Sequence, residues 1–340
     1  MEFHPRYTEI IALLDALISR LCLMPSLQDV TLQTIQVILL YAQWMPCGQE
    51  SNLTHNRPRS RYNDVSAYTV LGLALRFAKV LDLEEHATSP FQQHDKPASI
   101  GDVDRLRVWN NLVTCHYNLM LNSRFDASVD PTPASSASKQ MILHYAAQQP
   151  EDIRAAALVE LSVIVYRAER SAGTLSRLPL DGTSLRRANT DFDDWERSWH
   201  PRLSGTGFQH NSMPFTSLRW YRLAMNSASL EPLLSVKEPS SPRPTQLWRL
   251  QSLETSLTAA SQMLIALSTS APATVSNFDS QDSDSFPSGP FSVDIEACRR
   301  LSYAVDSTWI SHTFAAAFLV LCYVRKVVDG KRHFFCSPLG

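Results

Sequence analysis

Glycine is scarce in this chain, ten residues in 340. Phosphate-cradling loops depend on glycine's freedom at positive φ. Neither G-x-G-x-x-G nor G-x-x-x-x-G-K occurs. Charge is also modest: charged residues make up 19% and the formal net charge is −2. No global field draws such a chain onto nucleic acid or a membrane surface. Cysteine is sparse and scattered, at Cys22, Cys47, Cys115, Cys298, Cys322 and Cys336, with no C-x-x-C pair. Isolated thiols within apolar segments suit a reduced intracellular compartment, where they act as small hydrophobes. The first residues, MEFHPRYTEI, carry charge and lack the apolar core of an export signal. Long apolar runs are missing, with one near-exception from Trp309 to Val324. That run is about 16 residues, interrupted by Ser311, His312 and Thr313, whereas a membrane span needs roughly 20. The expectation is a buried core helix and no membrane.

What is present is helical periodicity. Apolar residues are 44%, enough for a large core. Pro5 suits the first turn of a helix running to about Met24, with Ile10, Leu14, Leu17 and Leu21 on one face and Pro25 as its stop. Ser26 and Asp29 have capping-box spacing for the next helix, whose stripe is Leu32, Ile35, Leu39 and Ala42 and which Pro46 ends. Residues 48–62, with Arg57, Arg59 and Arg61, read as a polar surface loop. Asp64 suits the cap of a third helix, with Tyr68, Leu71, Leu75 and Ala78 inward. A loop containing Pro90 and Pro97 is expected next. Asp102 then opens a helix with Leu106, Trp109, Val113, Tyr117 and Met120 inward, stopped near the prolines that end RFDASVDPTP. Ala134 to Ser138 read as loop. Further stripes are Ile153, Ala157, Leu161 and Val165; Leu185, Ala188, Phe192, Trp195 and Trp199; Leu218, Tyr221 and Met225; and Leu247, Leu250, Leu257, Ala260, Leu264 and Leu267. A last helix or helix pair covers Asp294 to Val328. Residues 268–292 are rich in Ser, Asp, Pro and Thr and read as disordered.

No useful strand-like alternation and no repeat period is visible. The expected fold is all-α, about nine or ten helices in one large irregular domain over residues 1–267 plus 294–328. Residues 268–292 form its insertion and 329–340 its tail.

Several constellations carry chemistry in other proteins. Asp191, Asp193, Asp194 and Glu196, in the run DFDDWE, have the carboxylate density to hold Mg²⁺ and a diphosphate, as in all-helical terpenoid enzymes. The second metal motif of those enzymes is absent. A solvated acidic face beside Trp195 and Trp199 is the plainer reading, and the Mg²⁺-dependent terpenoid enzyme is the alternative function. Ser136 to Lys139 matches S-x-x-K, without the K-T-G that accompanies it in penicillin-recognising enzymes. His86 and His94, with Glu84, Glu85 and Asp95, fit no structural zinc spacing. His116 and His312 lie within apolar helices and read as core residues. Asn52-Leu-Thr54 is a glycosylation sequon, irrelevant inside a cell.

The residue identities of three helices carry a resemblance. TLQTIQVILL starts at Thr31, AYTVLGLALRFAKVLDL runs from Ala67 to Leu83, and RLRVWN from Arg105 to Asn110. In order and spacing these resemble the T-x-Q-A-x-x-L-L, A-x-x-L-G-x-A-x-R-x-A-x-x-L-x-L and R-R-x-W-W helices of the middle homology region of fungal zinc-cluster transcription factors. LSYAVD from Leu301 and FAAAFL from Phe314 resemble the late helix of a subgroup that regulates amino-acid and nitrogen catabolism. Asn110 stands where the family has a second Trp, and the family's first Arg is replaced by Leu106 or shifted to Arg105. The repeated C-x2-C-x6-C of the binuclear zinc cluster occurs nowhere in the sequence.

The resemblance implies a nuclear, activity-controlling or effector-sensing domain of a transcription regulator. Such a domain is not an enzyme and holds no catalytic, cofactor-binding or metal-ligating residues; zinc is expected only with an additional N-terminal cluster. Arg76, Arg107 and Trp109 match family positions and are expected in packing and salt bridges. The implied partners are a second copy or a related regulator and a small-molecule effector, with DNA reached only indirectly.

Overall fold

Apolar residues that recur every three or four positions can be buried together only if the chain is helical, and helix dominates this chain. The computed structural model describes residues 6–44, 47–48, 59–60, 64–92, 97–123, 128–171, 180–204, 212–234, 247–268, 292–301 and 304–327. The helices are α1 (Tyr7–Leu23), α2 (Leu32–Gln43), α3 (Asp64–Val80), α4 (Leu83–Gln92), α5 (Ile100–Ser123), α6 (Thr132–Met141) and α7 (Pro150–Ser171). They continue with α8 (Gly182–Ser204), α9 (Ser212–Ser227), the single turn α10 (Glu231–Leu234), α11 (Leu247–Ile265), α12 (Ile295–Leu301) and α13 (Asp306–Val324). Among the described residues the extended pairing is confined to a two-residue antiparallel ladder, Cys47–Gly48 with Arg59–Ser60, and an isolated bridge between Ser268 and Val293. The chain is all-α, with more helices than the nine or ten that periodicity separates. Arg57, Arg61, most of the 48–62 loop, residues 269–291 and the tail 329–340 lie outside the described residues.

Two helices were hidden by proline. α4 buries Leu83, Ala87, Thr88 and Phe91 although Pro90 lies within it. Pro90 falls in the last turn, and burial of the apolar side outweighs the lost backbone hydrogen bond. Pro131 and Pro133 do not merely stop the preceding helix. They flank the first residue of α6, where a missing N–H costs nothing. Ala134, Ser135, Ala137 and Ser138 are therefore helical and buried, not a loop. The Ser26–Asp29 capping box is present but closes a 3-10 turn over Leu27–Asp29. The cap of α2 is Thr31, whose Oγ1 accepts from the Thr34 N–H at 3.1 Å.

Contacts divide the chain into two compact units, Met1–Ser162 and Val163–Gly340. In the first, α5 is the hub: α2, α3, α4 and α6 all pack on it. It buries Leu106, Trp109, Leu112, Val113, Tyr117 and Met120 among others, so nearly every side meets a neighbour. α1 joins α2 through the Tyr41 hydroxyl, which donates to Asp15 at 2.9 Å. Its buried line includes Ile18 and Leu21, while Leu17 and Ile10 are each 40% exposed. The stripe is thus rotated from the expected one. Tyr68 on α3 is likewise exposed.

In the second unit α9 and α11 form the central pair, with α13 on α11 and α8 on α9. Leu185, Ala188, Phe192, Trp195 and Trp199 are all buried on α8, as are Leu218, Tyr221 and Met225 on α9. On α11 the buried ridge is Leu253, Leu257, Ala260 and Met263, with Leu247 exposed. Trp220 meets Phe314 edge-on at 5.4 Å between ring centroids.

Gly182 opens α8 where Trp248 of α11 presses on its backbone. A Cβ there would lie 2.7 Å from Cγ and 3.1 Å from Cβ of Trp248. Those atoms sit close to the Trp248 backbone and cannot swing aside. Gly182→Ala is expected to destabilise by about 1–3 kcal/mol, measured by urea unfolding; an unchanged midpoint contradicts the contact.

Candidate functional site

Of the three positions that match the zinc-cluster motif, two lie on α5 and one on α3. Arg76 is exposed on the surface of α3. Trp109 is buried, and its Nε1 has no hydrogen-bond partner among the described residues. Arg107 lies one turn from the start of the buried run of α5, and its donors are spoken for. Nε and Nη2 form a fork on Asp152 at 2.7 and 2.8 Å. Nη2 also donates to the Ala146 carbonyl at 2.9 Å, and Nη1 to Asp104 at 2.9 Å. The Asp152 side chain is 4% exposed against 34% for Arg107. Its hydrogen bonds to the Asp152 carboxylate raise the guanidinium above its ordinary range, so the charge is permanent. The arrangement ties the first turns of α5 to the loop before α7 and to the first turn of α7.

Asn110 stands where the family has a second Trp. It is fully buried, and its Oδ1 accepts from the Ser138 hydroxyl of α6 at 3.1 Å. The facing surface of α6 is Ala134, Ala137 and Ser138, small side chains that bring α6 close to α5. A second indole has no room against that face while α6 keeps this distance.

The acidic run DFDDWE is split by the turn of α8. Asp193 and Glu196 face Arg222 of α9. Asp194 pairs on the surface with Arg197 at 2.7 Å. Phe192 and Trp195 point into the core. Burial raises the Glu196 carboxyl, and Arg222 opposes that rise. Beside it the buried Arg219 donates from Nε to Gln262 of α11 at 3.2 Å. Burial pushes Arg219 down to about 10, Glu196 acting in the opposite sense, so it stays charged at neutral pH. These charges bind α8, α9 and α11 together. Among the described residues no group of three or more His, Cys, Asp and Glu is placed to hold a metal ion.

The remaining candidates are apart from one another. Ser136 and Lys139 are exposed on α6, and Lys139 Nζ donates to Glu160 at 2.8 Å. His86 is exposed, with Nδ1 at 3.1 Å from the Leu81 carbonyl. His94, Asp95 and the Asn52–Thr54 sequon lie outside the described residues. Cys115 is pushed up to about 12 and Cys322 to about 11 by burial. Neither thiol is ionised at neutral pH, so neither is a nucleophile. His116 accepts at Nε2 from the Ser128 N–H at 3.0 Å, and burial pushes it down to about 4. His312 is lowered by the same cause, opposed by its contact with the Thr308 carbonyl. Both are neutral core histidines.

Sequence reading missed Asp152 and Arg219. Asp152 follows Pro150 and Glu151 in a first turn, where an acidic residue is ordinary. Its partner is 45 residues away, and no local signal announces it.

Two predictions follow from these geometries. Arg107→Ala leaves the Asp152 carboxylate buried and unpaired, at an expected cost of about 2–4 kcal/mol in thermal or urea unfolding. Arg107→Lys recovers only part, because an ammonium cannot form the fork. Equal stability of all three proteins contradicts the clamp. The second concerns pH. His116 is held below its unfolded value near 6.5, so between pH 6.5 and about 4 the unfolded chain binds more protons. Its contribution is complete above pH 6.5 and is lost as pH falls, on the order of 3 kcal/mol in all. His116→Gln should flatten that part of the profile in urea titrations at pH 4.5 and 7, leaving a residual slope of the same sign from His312.

No protein-family model, curated protein or solved structure matches the chain.

Proposed function

We propose that this chain is an activity-controlling domain of a fungal transcription regulator, of the kind that zinc-cluster proteins carry beside their DNA reader. One observation supports the reading most. The three segments whose residues match the family motifs are α2, α3 and α5, and these helices pack on one another in the first unit. A motif of scattered positions is understandable as selection on one packed core. Arg107 adds support: the motif arginine is the residue that holds α5 to the start of α7. On this reading the chain works in the nucleus, responds to a small-molecule effector or a related regulator, and acts on DNA through a partner. The net charge of −2 suits a chain that reaches DNA through a partner.

The test joins the chain to an unrelated DNA-binding module upstream of a reporter gene in a fungal cell. Reporter output should change several-fold, and Arg107→Ala should abolish the change while Arg76→Ala should not. The purified chain alone should retain no DNA selectively at physiological salt. A silent reporter with a folded fusion, or tight selective retention of one DNA by the chain itself, overturns the proposal.

A further inference from the structure

α6 is held in the first unit by little apolar surface. Its ten residues, TPASSASKQM, include three serines, which favour helix less than alanine does. The buried ones are Ala134, Ser135, Ala137, Ser138 and Met141. Met141 is the one large apolar side chain among them, and burial stabilises in proportion to apolar area. On the outer side the ion pair of Lys139 with Glu160 is part-exposed and contributes little.

The polar groups beneath α6 are poorly matched. Ser138 has one hydroxyl proton and two acceptors in reach, the Ala134 carbonyl at 2.6 Å and Asn110 Oδ1 at 3.1 Å. The shorter contact competes with the amide of Asn110. Asn110 is 0% exposed, and its Nδ2 has no hydrogen-bond partner among the described residues. A buried amide that is only partly satisfied opposes docking of the helix that covers it.

The chain on either side of α6 is firmly held. Before it, Tyr117 Oη donates to the Val129 carbonyl at 2.8 Å, and His116 Nε2 accepts from the Ser128 N–H at 3.0 Å. After it, Arg107 Nη2 donates to the Ala146 carbonyl at 2.9 Å, and Ala147 is fully buried. Residues 130–145 therefore run between two anchors and carry a weakly held helix.

We propose that α6 is a strap that lifts off α4 and α5 while Val129 and Ala146 stay anchored, and that its opening bares Asn110 to water. Opening gives the Asn110 amide its missing hydrogen bonds, and α6 itself uncovers one large side chain. Its free energy therefore lies below that of unfolding the whole unit. A ligand or partner that binds the open form alone shifts the unit toward it. This device belongs to the fold and does not rest on the regulator reading.

The test is native-state hydrogen exchange of the full chain at single-amide resolution. Amides of α6 should exchange at least about tenfold faster than those of Leu112 to Met120 in α5. The anchor amides of Ser128 and Ala147 should exchange more slowly than α6. Asn110→Asp changes little in size but puts a charge under the closed strap, and should speed α6 exchange at least about tenfold. That acceleration requires residue 110 to be hydrated in the open form. Met141→Ala, which removes the apolar anchor, should also speed it at least about tenfold and carries the test if the aspartate variant does not fold. An α6 as slow as α5 overturns the proposal. So do anchors that exchange as fast as α6, or an α6 rate that a folded Asn110→Asp protein leaves unchanged.

Discussion

A helix that is apolar on nearly every side must be enclosed, and α5 is that helix in the first unit. Its 24 residues cannot be exposed to water without a cost of many kilocalories, so α2, α3, α4 and α6 gather around it. Enclosure alone leaves rotation and sliding along the axis open. The fork of Arg107 on Asp152 closes that freedom, because two parallel hydrogen bonds to a carboxylate fixed at the start of α7 admit one register. Three of the arginine's contacts reach residues 39 or 45 positions away. One side chain thereby sets the distance between chain segments that hydrophobic burial alone would let drift.

The second unit solves a similar problem with more charge. α8, α9 and α11 share Glu196, Arg222, Arg219 and Gln262 between layers of aromatic side chains. Opposite charges that balance in a low-dielectric setting hold helices in one arrangement but offer little to a ligand. Asp193 and Glu196 of the acidic run thereby link α8 to α9 through Arg222.

The stripes of α2, α5, α8 and α9 were readable because each rests on long apolar side chains at regular spacing. Where reading failed, the failing signal was local and the deciding force was not. Pro90 and Pro131 have the same chemistry in a loop and in the first or last turn of a helix. Only the burial of Phe91 and Met141 shows which it is. On α1, where leucine and isoleucine lie all around the helix, two stripes fit the periodicity equally. Ile18 and Leu21 are the buried ones. Leu247 obeys the period of α11 but lies at its first residue and is exposed.

The amino-acid sequence by itself determined that the chain is helical, which residues form its main ridges, and that it carries no glycine-rich phosphate motif. These follow from side-chain type and a period of 3.6, both local. The tertiary structure alone decided that Asp152 is buried beneath Arg107, that Asn110 faces a small-residue helix, that the acidic run is tied down by arginines, and that α13 is covered on one side only. Each depends on groups brought together from distant parts of the chain, and electrostatics and packing act on distance in space, not on distance in sequence.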